Sequence, residues 1–192
     1  MSKPREFLDK DRNIAMKYYD LCEYDRSTKK ALTILKRELK YLISEDPYFL
    51  DSYSDYYQIL MNENSFIEAR VIINRAYKNA LKLILDENKK WPDSLEWGFI
   101  ENRHIIRAIL NKAIDEWSAE NETVALDLFR NLLKTNPRDN AGVRFYILAI
   151  LMGMSFEKYE NKFNKDGYYD SSSWEWFAKN SNKFEDEFPS VD

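Results

Sequence analysis

Glu101 and His104 are spaced as Glu-x-x-His, which sets a carboxylate and an imidazole on one helix face, where di-iron bundles use them as metal ligands. Such a centre takes two copies of the pair, and His104 is the only histidine in the chain. The sequence therefore gives the pair to a helix start capped by Asn102, and implies no metal and no cofactor. Cys22 would act as a nucleophile only with a base in reach, and no imidazole or flanking signature lies near it in sequence. On an apolar stripe it reads as a small buried hydrophobe. With 4 glycines there is no phosphate-cradling loop, no Gly-x-Ser-x-Gly and no dinucleotide pattern. Hydrolysis by paired carboxylates needs two acids across a cleft. The chain has 33 acidic residues but singles out no pair, so an α-helical hydrolase stands as a rival reading and a non-enzyme as the favoured one.

Residue types suited to binding are better placed. Arg103, Arg107 and Asn111 lie at i, i+4 and i+8, on one face of a helix. With Arg144 they would make an Arg-Asn-Arg surface able to hold a peptide carboxylate through charge-assisted, bidentate hydrogen bonds. The competing role for these arginines is pairing with Glu101, Asp115 or Asp139. Asp51, Asp55 and Gln58 would form an acidic counterpart on an earlier helix. Tyr53, Tyr56 and Tyr57 interleave with them as packing aromatics rather than base-stacking ones.

These residues have to be positioned by helices. Aromatics make up 15% of the chain, while 4 Gly and 5 Pro are too few for the turns of a β-rich fold. A formal charge of −4 gives no general attraction for nucleic acid or anionic lipid. The solitary cysteine suits a reducing compartment, and "MSKPREFLDKDR" is charged where a signal peptide is apolar. The longest apolar run, Phe145 to Met154, is about half of the roughly 20 residues a membrane span requires. A cytoplasmic protein without a membrane segment is the expectation.

Apolar spacing predicts helices over Asp11 to Tyr24, from a cap at Ser27 to Ser44, and from Pro47 in a first turn to Asn62. A long one follows from Phe66, with Ile67, Val71, Ala76, Leu81 and Ile84 available for burial. Others run over Asn102 to Trp117, Asn121 to Lys134 and Asp139 to Met152, and two short ones are capped by Ser155 and by Ser171 to Ser173. Trp174, Trp176 and Phe177 on the last would cover the open end of a stack. The acidic tail 181–192 is expected to fray. Pro47, Pro92 and Pro137 recur every 45 residues, each at a junction between helical hairpins.

Ala125 and Phe129 precede Pro137 by 12 and 8 residues, and Ala69 and Ala76 follow Pro47 by 22 and 29. These offsets resemble the tetratricopeptide repeat, in which small residues let paired helices approach and Pro closes the unit. Leu132 departs from the pattern, and so does a period longer than the family's roughly 34 residues. "WGFIENRHIIRAI", "TVALDLFRNLLKTNPRDNAGVRFYIL" and "DGYYDSSSWEWF" further resemble a divergent tetratricopeptide-like group over residues 95–178. That group carries Trp-Gly, Glu-Asn-Arg, Arg-Ala and Asn-Pro-x-Asp-Asn-x-Gly-x-Arg stretches. The resemblance implies one all-α domain over 1–180, antiparallel hairpins stacked as a right-handed superhelix. It also implies a helical interaction scaffold that binds a protein or peptide partner in a groove lined by first helices, Arg107, Asn111 and Arg144 included. In the turn itself, Asp139 or Asn140 is the expected cap and Gly142 is expected to let a neighbouring helix come close. A neutralising partner of a toxin or enzyme, using the acidic face, is the second binding-class reading.

Overall fold

Helix starts follow local chemistry. Thr28 caps α2 (Lys29–Glu45) by accepting the Ala31 amide at 3.1 Å, one residue beyond the expected Ser27. Ser155 does the same for α8 (Phe156–Phe163). In a computed structural model of the chain, which describes residues 3–165, 168–169 and 171–188, the other helices are α1 (Ile14–Cys22), α3 (Asp51–Asn62), α4 (Phe66–Ile84), α5 (Arg103–Ser118), α6 (Glu122–Thr135), α7 (Val143–Leu151) and α9 (Ser172–Asn180). A two-residue antiparallel pair, β1 (Asn164–Lys165) with β2 (Tyr168–Tyr169), separates α8 from α9. Asp166, Gly167 and Asp170 of the "DGYYD" stretch lie outside the described residues. α3 starts at Asp51 rather than in the first turn after Pro47, whose carbonyl instead accepts a hydrogen bond from the Asn79 carboxamide.

Packing is sequential: each helix from α1 to α6 lies against the next one, through to α7, and α3 also lies against α5. The three prolines fall in the connections before α3, α5 and α7. α8 packs on α5 and α9 on α7, so the last pair departs from the pattern of the earlier hairpins. The chain is all-α and multi-helical apart from the short β pair.

The buried face of α4 is as expected at Ala76 and Ile84 and departs from expectation at Ile67 and Val71. Ile67 is 87% exposed and Val71 62%, whereas Ala69, Ile73, Ala76, Ala80 and Ile84 are fully buried. Ala69, Ala76 and Ala80 let α3 and α5 approach α4 closely, Ile73 and Ile84 fill the rest of that face, and Ile67 and Val71 lie off it. Towards the other end, Trp117 meets Phe129, Tyr146, Phe156 and Tyr159, and its indole N–H donates to the Met154 carbonyl. Tyr159, Phe163 and Trp176 continue this ring chain, and Phe177 and Trp174 pack on Phe145, although Trp174 remains 61% exposed. Of the tail expected to fray, Ser181–Phe184 form a 3-10 turn, Glu187 pairs with Arg130 at 2.6 and 2.7 Å and Phe188 stacks on Phe177, while 189–192 lie outside the described residues.

The 136–144 turn is held by one carboxylate. Asp139, itself at φ +51°, accepts the amides of Val143 and Arg144 at 2.7 and 3.1 Å. Gly142 sits at φ +69°, and a Cβ there would meet only the Phe145 ring, at 3.7 Å. The glycine is therefore required by the left-handed backbone before α7, not by a close helix approach. Cys22, expected in the core, is exposed as the last residue of α1.

Candidate functional site

The residues proposed for binding fall into three environments. On the face shared by α3 and α5, Arg107 meets Asp51 in a two-pronged ion pair, Nε to Oδ1 at 2.7 Å and Nη2 to Oδ2 at 2.5 Å. One turn along α3, Asp55 receives both terminal nitrogens of Arg26 at 2.6 and 2.8 Å. Arg107 of the basic set and Asp51 of the acidic set are thus joined in one ion pair. Arg107 finds its acid on α3 rather than in Glu101 or Asp115, because α3 and α5 lie against each other. The expected acidic face is correspondingly absent at Asp51 and Asp55, each carboxylate being matched by a guanidinium. Gln58 and Asn111 lie on the same faces of α3 and α5, and their side chains form no hydrogen bond among the described residues. Ser54, on the same face of α3, has a buried hydroxyl with no partner.

The second environment is an aromatic platform. Arg103 donates through Nε to the Trp97 carbonyl at 3.0 Å, and Arg103 and Arg107 both lie over the Trp97 ring, 5.3 and 5.6 Å from its centre. The outer N–H groups of Arg103 meet no carboxylate among the described residues. The third is the turn before α7, where Arg144 is committed to its own loop. It pairs with Asp139 at 2.8 Å and reaches the Pro137 carbonyl, the pairing that the sequence offered as the alternative to ligand binding.

Above these helices lies a polar network that sequence reasoning missed. Residues 5–7 of the N-terminal arm run parallel to 93–94: the Phe7 amide donates to the Ser94 carbonyl, and the Asp93 and Ser94 amides donate to the Arg5 carbonyl. Asn102, fully buried, reads the arm with both ends of its carboxamide. Oδ1 accepts the Asp9 amide at 2.9 Å and Nδ2 donates to the Phe7 carbonyl at 2.9 Å. It is not a side-chain cap of α5. Asp9 pairs with Arg12, which also forks onto Asp46. His104 completes the network, with Nε2 2.8 Å from Asp9 and Nδ1 accepting the Leu50 amide at 3.0 Å. Since Nδ1 accepts an N–H, the ring proton sits on Nε2 and is donated to Asp9. An Asp–His pair of this kind resembles a general-base dyad, but a base needs one free ring nitrogen and both are occupied. The same occupancy leaves no lone pair for a metal, and no group of three or more candidate ligands occurs among the described residues. The signal that could have found this network is the run Asp9, Arg12, which places an acid and a base three apart in an otherwise exposed arm.

The electrostatics follow from burial and pairing. Burial acts to raise the Asp9 carboxyl, but hydrogen bonds from His104 and Arg12 outweigh it and hold the group below the usual carboxylate range. Burial, then the carboxylates of Asp51 and Asp55, push the Tyr18 phenol far above its ordinary value. Burial, aided by Asp115, pushes Tyr57 up to about 12. Elsewhere on α5, Lys112 is only 5% exposed and bridges Asp115 and Glu116, with Arg70 beside both acids. Glu116 is held low because the hydrogen bonds from Lys112 and Asn121 exceed the cost of its burial.

A cavity of about 300 Å³ opens between α1 and the start of α5, lined by Met16, Tyr19, Phe49, Asp51, Ile100 and His104 among others. Met16 and Ile100 are 69% and 62% exposed, which gives it an apolar rim. Among the described residues no helix is long and apolar enough to cross a membrane. No family model, curated protein or solved structure matches the chain.

Proposed function

We propose that the chain is a non-catalytic, tetratricopeptide-like scaffold that binds a protein or peptide segment on the face formed by α1, α3 and α5. The observation that carries this reading is the strip of unmatched polar groups on that face. Ser54 keeps a buried hydroxyl without a partner, and Gln58 and Asn111 present free carboxamides beside the Asp51–Arg107 pair. The buried, unpaired Ser54 hydroxyl costs about 1–3 kcal/mol, while the Gln58 carboxamide is exposed and that of Asn111 half-buried, both within reach of a ligand. Carboxamides donate and accept at once, which suits an extended peptide backbone better than a small anion. The apolar cavity rimmed by Met16 and Ile100 lies at one end of the strip, where a ligand side chain fits.

The acidic-face reading of a neutralising partner loses support, since Asp51 and Asp55 are already satisfied by Arg107 and Arg26. The carboxylate-hydrolase reading needs an acid kept protonated near neutral pH. The displaced carboxyls here, Asp9, Asp25, Glu68 and Glu116, are all lowered instead.

The test is selection from a peptide-display library, followed by titration of the enriched peptides. Asn111→Asp and Gln58→Glu should weaken them at least about tenfold, the scale of one lost charge-compatible hydrogen-bond pair. Ile67→Lys, on an exposed turn of α4, should leave affinity unchanged. Peptides that bind equally to the α3/α5 variants, or no enrichment at all, would remove the basis for this reading.

A further inference from the structure

The arm 3–13 is held as a ligand is held. Its contacts with the rest of the chain are mostly made to backbone: the Arg5 amide donates to Asp93 at 2.7 Å, the Arg5 carbonyl receives two amides, and the Phe7 amide, Phe7 carbonyl and Asp9 amide are each matched. Extended segments added to an exposed strand-like edge are recognised in this way, with backbone bonds giving affinity and alternate side chains giving selectivity. The side-chain readings are also present. Arg5 enters to cap the end of α4, donating to the Ile84 and Lys90 carbonyls at 2.9 and 2.8 Å. Asp9 meets His104, and Arg12 meets Asp46 at 3.0 Å.

The partners on the scaffold side lie at the end of α2 (Asp46), in the connection before α5 (Asp93, Ser94) and at the start of α5 (Asn102, His104). α1 rests on a small cluster, Ile14 with Leu42 and Phe49, while Phe7 of the arm, with Tyr18 and Leu21 of α1, packs on the edge of the main core. Residues 23–28, which connect α1 to α2, are all exposed. The geometry therefore offers a receptor on one side and a tethered occupant on the other.

We propose that the surface formed by 93–104 and Asp46 is a second peptide-binding site, occupied in cis by the arm and open in trans to a partner segment of the same chemistry. That chemistry is Arg-x-aromatic-x-Asp-x-x-Arg in extended form, the pattern of Arg5, Phe7, Asp9 and Arg12. The site adjoins the α3/α5 strip, since Lys10 to Asn13 of the arm and His104 also line the cavity at the end of that strip; the arm's own contacts, not the strip, carry the inference. The tether makes the arm its own competitor, at an effective concentration on the order of millimolar for a short link. A free segment gains access only when the arm is loosened.

The experiment uses the full chain and a fluorescent synthetic peptide of residues 3–13. In one protein the arm is weakened by Arg5→Ala with Asp9→Asn, which leaves every scaffold partner in place. A milder Arg5→Ala protein covers the case in which the double variant fails to fold. Hydrogen exchange at the Phe7 and Asp9 amides reports arm release, and fluorescence anisotropy reports binding. The weakened proteins should bind the peptide at least about tenfold more tightly than the unaltered chain, given the competing tether. Adding Asn102→Ala should abolish that gain. The proposal fails if the amides are released and the peptide still does not bind, or if Asn102→Ala changes nothing. It also fails if the released proteins pair with one another by exchanging arms, seen as a dimer in sedimentation, since the occupant is then a second copy and not a foreign segment.

Discussion

Replacing Arg107 by Gln tests whether this residue belongs to the fold or to a ligand. Asp51 is 3% exposed and its carboxylate has two close contacts, both from Arg107. Breaking a fully buried ion pair costs about 3–5 kcal/mol, because a charge is stranded without water, whereas a surface pair contributes about 0–1 kcal/mol. The side chains are 5% exposed at Asp51 and 36% at Arg107, between those limits. Arg107→Gln should therefore destabilise by about 2 kcal/mol, which for a chain of this size lowers Tm by roughly 4–8 °C. Asp51→Asn strands only the more exposed guanidinium, and should cost about 1 kcal/mol by the same comparison of limits. The double variant removes both charges and should cost about 1.5 kcal/mol, well short of the sum, as expected for directly coupled groups. Urea denaturation of the four proteins at neutral pH closes the cycle. If Arg107→Gln falls within about 0.5 kcal/mol of the unaltered chain, or the two effects add, the pair is not holding α3 to α5. The guanidinium would then be available to a ligand, as the sequence alone suggested.

Asp9 gives a pH prediction. Its folded carboxyl lies below its ordinary value, so the stabilisation it provides is complete above the unfolded carboxylate range and is lost as pH falls through the lowered folded value. Between pH 5 and pH 2, Asp9→Asn should show a shallower loss of stability than the unaltered chain; equal slopes in acid denaturation would mean that the His104–Arg12 pairing is not formed in solution. At the turn before α7, Gly142→Ala should cost about 1–2 kcal/mol through the positive φ alone, since a Cβ finds space beside Phe145. Gly142→Asn should recover part of that loss in the same melting assay, and a neutral Gly142→Ala would contradict the left-handed conformation.

What the sequence disclosed and what it withheld divide along the range of the forces involved. Helix existence, the proline-marked connections and the turn at Asp139 are set by neighbours a few residues apart, and periodicity and capping chemistry report them directly. The buried face of α4 was misread at Ile67 and Val71 because hydrophobicity favoured them, while the crossing with α3 and α5 selected the alanines for their size. That choice depends on two other helices and has no local signature. The same holds for the candidate site. Arg103, Arg107 and Asn111 could be placed on one face from spacing alone, but that Asp51 would neutralise Arg107 requires knowing that α3 and α5 lie side by side, 56 positions apart in sequence. Asn102 is the sharpest case. As a residue before a helix it reads as a cap, and its actual partners, Phe7 and Asp9, lie 95 and 93 positions away. A polar residue that is fully buried must find partners for all of its hydrogen-bonding groups, and the exposed, charged look of the arm concealed that it would supply them. The residues whose local reading fails in this way are those that join distant segments, and the arm they join is where a second peptide would have to compete.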